Sequence, residues 1–220
     1  MPAVTIDQLT IADRAERWAA LGFAVEGEES QIGAVRLRFT GPAADRGIAG
    51  WSLRGVQRDV DLDGLPTEIS REPMPPPAPA HPNGAVAIDH VVAATPAFER
   101  TLAALRAAGL DLRRVREQPT PAGAPRQAFF RLGAEILELI QEPAEVAARH
   151  GGAQRPARFW GLALVVEDLE ATLALLGESA GEARDAVQPG RRIASVRRSA
   201  GLAVPLALMS APAPREEVGA

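Results

Sequence analysis

Cysteine, lysine and tyrosine are all missing from this 220-residue chain, so its 24 basic residues are arginines throughout. Without cysteine there is no disulfide framework, no thiolate nucleophile and no zinc-thiolate centre. Without lysine there is no Schiff-base amine, no pyridoxal-phosphate anchor and no phosphate-loop lysine. No apolar run approaches the roughly 20 residues that cross a bilayer. The start, Met1-Pro2-Ala3-Val4, lacks the basic then apolar profile of an export signal, so a cytoplasmic location is expected. A net charge of -4, with arginine spread along the chain, offers no stripe for a nucleic-acid backbone. Neither nucleic acid nor membrane is an expected partner. No G-x-G-x-x-G opens a βαβ unit, so no NAD site is expected either.

What is present is an ordinary globular composition, 46% apolar and 24% charged. The clearest boundary is Pro73-Met74-Pro75-Pro76-Pro77-Ala78-Pro79-Ala80-His81-Pro82, where closely spaced prolines forbid helix and sheet pairing and favour an extended spacer. It divides the chain into a unit at 1–72, a linker at 73–84, a larger region at 85–212 and a tail at 213–220. His81, in that spacer, and His150, beside Gly151-Gly152, are expected to face solvent.

The larger region repeats itself. Ala85 to Ala94 reads as a buried strand, and Thr95-Pro96 as a helix start. Phe98, Leu102 and Leu105 form one apolar helix face, and Gly109 is the stop. Strands near Leu112 to Glu117, Gln127 to Leu132 and Glu135 to Ile140 complete this unit, spanning 85–143. The plan returns at 157–212, with Leu162 to Val166 as strand, Asp168 as N-cap, Leu169, Leu173 and Leu176 as the helix face and Gly177 as stop. Subtracting 90 from 161, 98 from 169, 102 from 173 and 105 from 176 gives 71 each time. Strands around Glu182 to Ala186, Ile193 to Arg198 and Val204 to Met209 finish it, and the endings align at an offset of 69. A fainter copy precedes the linker: Ile6-Asp7-Gln8-Leu9 matches Ile88-Asp89-His90-Val91, Asp13 is placed to cap a short helix ending at Leu21-Gly22, and Val35 to Phe39 and Ile48 to Leu53 follow as strands. An unpaired unit there exposes a sheet edge and an apolar face, so it must pack on the later pair or on its twin in a homodimer.

These units resemble the βαβββ modules of the vicinal oxygen chelate superfamily, which includes glyoxalase I, bleomycin-resistance proteins and extradiol dioxygenases. The likeness extends to glyoxalase-like proteins of unassigned activity that carry stretches such as Arg126-Gln127-Ala128-Phe129-Phe130-Arg131-Leu132-Gly133 and Gln188-Pro189-Gly190-Arg191-Arg192-Ile193-Ala194. The resemblance implies an α+β fold in which repeated modules form a curved mixed sheet around a cavity. It also implies a metal held by the first and last strands of two modules. Carried over, His90 and Glu138 are an imidazole and a carboxylate suited to Fe, Zn, Mn or Ni. Their counterparts are Gly161 and Ala207, which donate nothing, and in the N-terminal copy Gln8 matches His90 and Ser52 falls about where Glu138 does. Three protein ligands are usual even for catalytic zinc. The expectation is therefore no cofactor, or a divalent metal on a degenerate site.

His90 beside a carboxylate is also a general-base pair without metal. Gln188-Pro189-Gly190-Arg191-Arg192 reads as a turn presenting two adjacent guanidiniums that can clamp a carboxylate or phosphate. Trp160, beside the vacant position at Gly161, is a candidate cavity wall, as is Gln127; of Phe129 and Phe130 one alone can face the cavity. Gly177-Glu178-Ser179-Ala180-Gly181 fits the hydrolase elbow pattern but follows a helix, with every histidine upstream, and reads as a helix-stop loop. The first reading is a small-molecule protein, binder or enzyme, acting on a small carboxylate or oxygenated metabolite. The alternative is a metal-dependent lyase, isomerase or dioxygenase using His90 and Glu138. A non-catalytic interaction protein is the third.

Overall fold

Ala128, Phe130 and Leu132 are fully buried while Phe129 and Arg131 between them are not, the period of two that marks a strand with one face on a core. Most of the chain follows that rule. The computed structural model describes residues 3–43, 47–56, 61–120 and 123–212; the expected tail at 213–220 lies outside them. In chain order the elements are β1 (Thr5–Ile11), α1 (Ala15–Ala20), β2 (Glu29–Ile32), β3 (Val35–Phe39), β4 (Ile48–Arg54), β5 (Thr67–Ile69), β6 (Ala85–Thr95), α2 (Phe98–Ala107), β7 (Asp111–Arg116), β8 (Gln127–Leu132), β9 (Glu135–Gln141), α3 (Ala144–Arg149), β10 (Arg158–Val166), α4 (Leu169–Leu176), β11 (Arg184–Asp185), β12 (Arg192–Ser195) and β13 (Leu206–Ser210).

The middle and C-terminal units form one curved eight-stranded mixed sheet, ordered β11-β12-β13-β10-β6-β9-β8-β7. In each half the first strand lies parallel to the last, and the two first strands, β6 and β10, join antiparallel at the centre. Val92 pairs with Glu138 in one half and Ala163 with Ala207 in the other. Taking 92 from 163 gives 71 and 138 from 207 gives 69, so the spacing read from the sequence is the spacing of the sheet register. Asp168 caps α4 by accepting from the Ala171 N–H at 3.0 Å, and Gly177 ends it at a φ of 53°. Thr95 and Asp13 do not cap. Thr95 Oγ1 accepts from the Ala97 N–H and pairs with Thr101, and Asp13 accepts from the Ala203 N–H at 2.8 Å, a contact across 190 residues.

The N-terminal sheet, ordered β2-β3-β1-β4-β5, is not a single four-stranded module. β1 lies parallel to β3 and antiparallel to β4, which lies parallel to β5. That sequence of pairings is the centre of the larger sheet, β8-β9-β6-β10-β13, with the outer strands trimmed away. Ser52 pairs with Gln8 as Ala163 pairs with His90, so Ser52 does not stand in the Glu138 position. Arg38 does, since it pairs with Thr10 as Glu138 pairs with Val92. The unit packs on the later pair within the same chain. Trp51 meets Phe159 edge-on at 5.0 Å between ring centres, and Asn83 Nδ2 donates to the Leu21 carbonyl at 2.9 Å. One continuous apolar core joins the two sheets.

Candidate functional site

A regular strand sends consecutive side chains to opposite faces, so Asp89 and His90 should be separated by the sheet. They are not. Ala163 pairs with His90 and Leu164 with Ile88, which leaves Asp89 as the extra residue of a β-bulge. The bulge shifts the alternation by one, and Asp89 Oδ2 lies 2.7 Å from His90 Nδ1 on the same face. The device recurs. Asp7 is the extra residue between Ile6 and Gln8 in β1, and Trp160 between Phe159 and Gly161 in β10. All three first strands are thus bulged at the position just before the one expected to hold a metal.

On the far side of the imidazole, His90 Nε2 lies 3.4 Å from Glu138 Oε2. The other Glu138 oxygen accepts from the Gln127 amide. On the near side, Asp89 Oδ1 accepts from Arg191 Nη1 at 2.5 Å, and the same nitrogen donates to Gln188 Oε1. Arg191 Nε donates to the Ser210 carbonyl at 2.9 Å, so the guanidinium reaches from the β11–β12 turn across β13 and β10 to β6. The result is one polar line, Gln127–Glu138–His90–Asp89–Arg191–Gln188, hydrogen-bonded at every link but the His90–Glu138 approach, across the face opposite the buried Leu137 and Leu139. Two buried atoms in it have no partner, Gln127 Oε1 and Arg191 Nη2. Burial works to raise the Asp89 carboxyl, but hydrogen bonds from His90 and Arg191, with their charges, outweigh it and hold the group below the usual carboxylate range.

Neutral imidazole has a single N–H. Here the ring nitrogen Nδ1 is hydrogen-bonded to Asp89, while Nε2 approaches Glu138 at 3.4 Å. The arrangement is a carboxylate–imidazole–carboxylate set rather than a metal cage. Both ring nitrogens already face oxygens, and among the described residues no group of three or more His, Asp or Glu is placed to hold a metal. A β-carbon at Gly161 would stand 3.0 Å from the Pro205 carbonyl oxygen, so any side chain there needs that backbone to give by a few tenths of an ångström. The donor set does not fit the divalent metal that the resemblance implies.

His90, Glu138, Gln127, Gln188 and Arg191 come together on one face, and Arg192 and Trp160 do not join them. Arg191 and Arg192 are not a paired clamp. Successive residues entering a strand diverge, so Arg191 turns in to Asp89 and Arg192 turns out to Glu170 on α4. Trp160 is 46% exposed and stands outside the core. Phe129 pairs directly with Glu138 and shares its face, while Phe130 is core. His81 is buried, accepting the Ala24 N–H at Nδ1 and facing the Gln31 carbonyl with Nε2, both at 2.9 Å. Proline spacing shows an extended segment but not what it lies on. A groove of about 640 Å³ under the proline segment, lined by Val86 and Glu167 among others, is separate from this site. The residue that sequence reasoning missed is Asp89. Its signal was legible: two adjacent polar residues inside an otherwise apolar strand require a bulge if both are to leave the core.

No protein-family model matches this chain, and no curated protein does. Among solved structures it is similar to a fusion of a xylose isomerase-like TIM barrel with 4-hydroxyphenylpyruvate dioxygenase, at 14% identity and a TM-score of 0.65 over 99% of this chain. The chain spans 51% of that protein's length. It is similar also to a triple mutant of 4-hydroxymandelate synthase from Streptomyces coelicolor, at 14% identity and a TM-score of 0.64, covering 98% of this chain and 94% of the other. At such identities what is shared is the architecture.

Proposed function

Because the chain has the vicinal oxygen chelate fold, we propose that it binds a small carboxylate or oxygenated metabolite on the face carrying Gln127, Glu138, His90, Asp89 and Arg191. There, His90 and Glu138 move a proton without a resident metal. The observation that carries this reading is that line of polar side chains, which holds two buried unpartnered atoms, an amide oxygen of Gln127 and a guanidinium nitrogen of Arg191. A buried polar atom without a partner costs about 1–3 kcal/mol. A ligand carboxylate accepting from Arg191 Nη2, or a hydroxyl donating to Gln127 Oε1, removes that cost. Asp89 holds His90 by Nδ1, which directs Nε2 toward Glu138 and the ligand. The reaction class that suits such a pair is proton transfer at a carbon or oxygen next to a carboxylate or carbonyl.

The test is a nitrogen-15 NMR titration with pyruvate, lactate and acetate in turn. Saturable shifts of the Gln127 and Gln188 amides and of Arg191 Nε, lost in Arg191→Gln, are expected. Unmoved signals with all three acids overturn the reading. Metal analysis of protein purified without a His tag addresses the metal-dependent alternative. Near-stoichiometric iron, zinc, manganese or nickel, lost on His90→Ala, would establish the lyase, isomerase or dioxygenase reading in place of this one.

A further inference from the structure

Beyond Glu138 the same sheet face continues to its β7 edge, and there it carries positive charge. Phe129 stands opposite Glu138, and Arg114 stands opposite Phe129 with its guanidinium 5.2 Å from the ring centre. Arg116 stands opposite Gln127, whose amide already binds Glu138. Neighbouring arginines are neutralised: Arg113 by Asp111 at 3.2 Å, and Arg126 by Glu99 and Glu117 at 2.6 Å each. Arg114 and Arg116 have no ion-pair partner among the described residues. Charge on an edge strand also discourages edge-to-edge pairing. That purpose is served by charge on either face, whereas both of these residues stand on the face of the site, with an aromatic ring between one of them and Glu138.

We infer that the ligand is elongated and bears a pyrophosphate-type anion at its far end. Its reacting head lies at His90, its middle over Phe129, and its anionic arm on Arg114 and Arg116. Residues two apart in a strand are separated by roughly 7 Å, so each guanidinium takes one phosphoryl group through its planar fork. Three strand spacings separate β7 from β6, which sets the arm roughly 14 Å from the head. The position of the head rests on the proposed function; the arm subsite stands on its own geometry.

Inorganic pyrophosphate is the probe, measured by calorimetry at moderate salt on the full chain. Saturable binding is expected, weakened by about tenfold or more in Arg114→Gln/Arg116→Gln and unchanged in His90→Gln. A control pair of equal charge change, Arg197→Gln/Arg198→Gln, should leave binding unaltered. Three results overturn the inference: no binding to the unaltered protein, equal weakening by the control pair, or loss in Arg191→Gln with none in the Arg114/Arg116 variant. Pyrophosphate binding that persists when small carboxylates leave Gln127 and Gln188 unmoved would sink the proposed head site while upholding the arm.

Discussion

Asp7 and Asp89 occupy the same place in two sheets: taking 7 from 89, each is the extra residue of a first-strand bulge 82 positions from the other. Their surroundings have diverged. Asp7 is enclosed by Arg36 at 2.7 Å, by Arg54, by Ser52 at 3.3 Å and by Ser70 at 2.5 Å, and is 2% exposed. Arg54 also donates to the Glu72 and Pro73 carbonyls, so the segment after β5 closes this position. Asp89 has one guanidinium and one imidazole. The N-terminal sheet encloses its bulge between arginines and serines, and the larger sheet sets its own between an arginine and an imidazole.

Asp89 and Arg191 should be coupled. Asp89→Asn is expected to destabilise the fold by about 3 kcal/mol, because it leaves the buried Arg191 guanidinium without a counter-charge. Adding Arg191→Gln should recover much of the loss. Urea unfolding of both single variants and the double variant measures this, and strictly additive losses would show that the pair is not coupled.

Acid should loosen the N-terminal sheet. Burial acts to raise the Asp7 carboxyl, but hydrogen bonds from Ser70 and Arg36 and the charges of Arg54 and Arg36 outweigh it and lower the folded value. Its contribution is therefore complete above the unfolded carboxylate range, about 3.9, and is lost as pH falls through the lowered value. Asp7→Asn should be less stable at neutral pH and should show a flatter loss on acidification. An unchanged acid limb would count against this assignment.

His81 gives a second pH dependence. Burial lowers its folded value, against the raising effect of the Gln31 carbonyl, and Nδ1 can accept the Ala24 N–H only while unprotonated. Its stabilisation is whole above about pH 6.5 and declines as pH drops through the lowered value. His81→Ala should cost about 2 kcal/mol by orphaning two backbone groups, and hydrogen exchange at Ala24 should report the opening.

Restoring the absent ligand should fail sterically. Gly161→His, alone or with Ala207→Glu, places a β-carbon 3.0 Å from the Pro205 carbonyl oxygen. An overpacking cost of about 1–3 kcal/mol is expected. A variant that binds zinc tightly at undiminished melting temperature would refute the steric account of the vacant half.

The contact between sheets should be costly to remove. Trp51 is 2% exposed and packs edge-on against Phe159. Trp51→Ala should cost about 3–5 kcal/mol in calorimetry, with near-ultraviolet dichroism reporting the lost packing. A change below 1 kcal/mol would mean that the two sheets hold together elsewhere.

From sequence alone came the duplicated module, its 71-residue offset, the helix faces of Phe98 and Leu169 and the absence of donor side chains at Gly161 and Ala207. Each of those is local: periodicity, caps and side-chain chemistry are written in neighbouring residues. It also brought His90, Glu138, Gln127, Gln188 and Arg191 under suspicion, because they are polar residues at strand positions or in a turn. Only the tertiary structure decided that the N-terminal sheet is a trimmed double module, that His81 is buried and that Arg191 and Arg192 part company. Strand order and burial depend on which distant segment arrives alongside, and one-dimensional spacing holds no record of it. Asp89 lies between these cases: its polarity inside an apolar strand announced a bulge, but only the register with Ala163 and Leu164 turned its carboxylate onto His90.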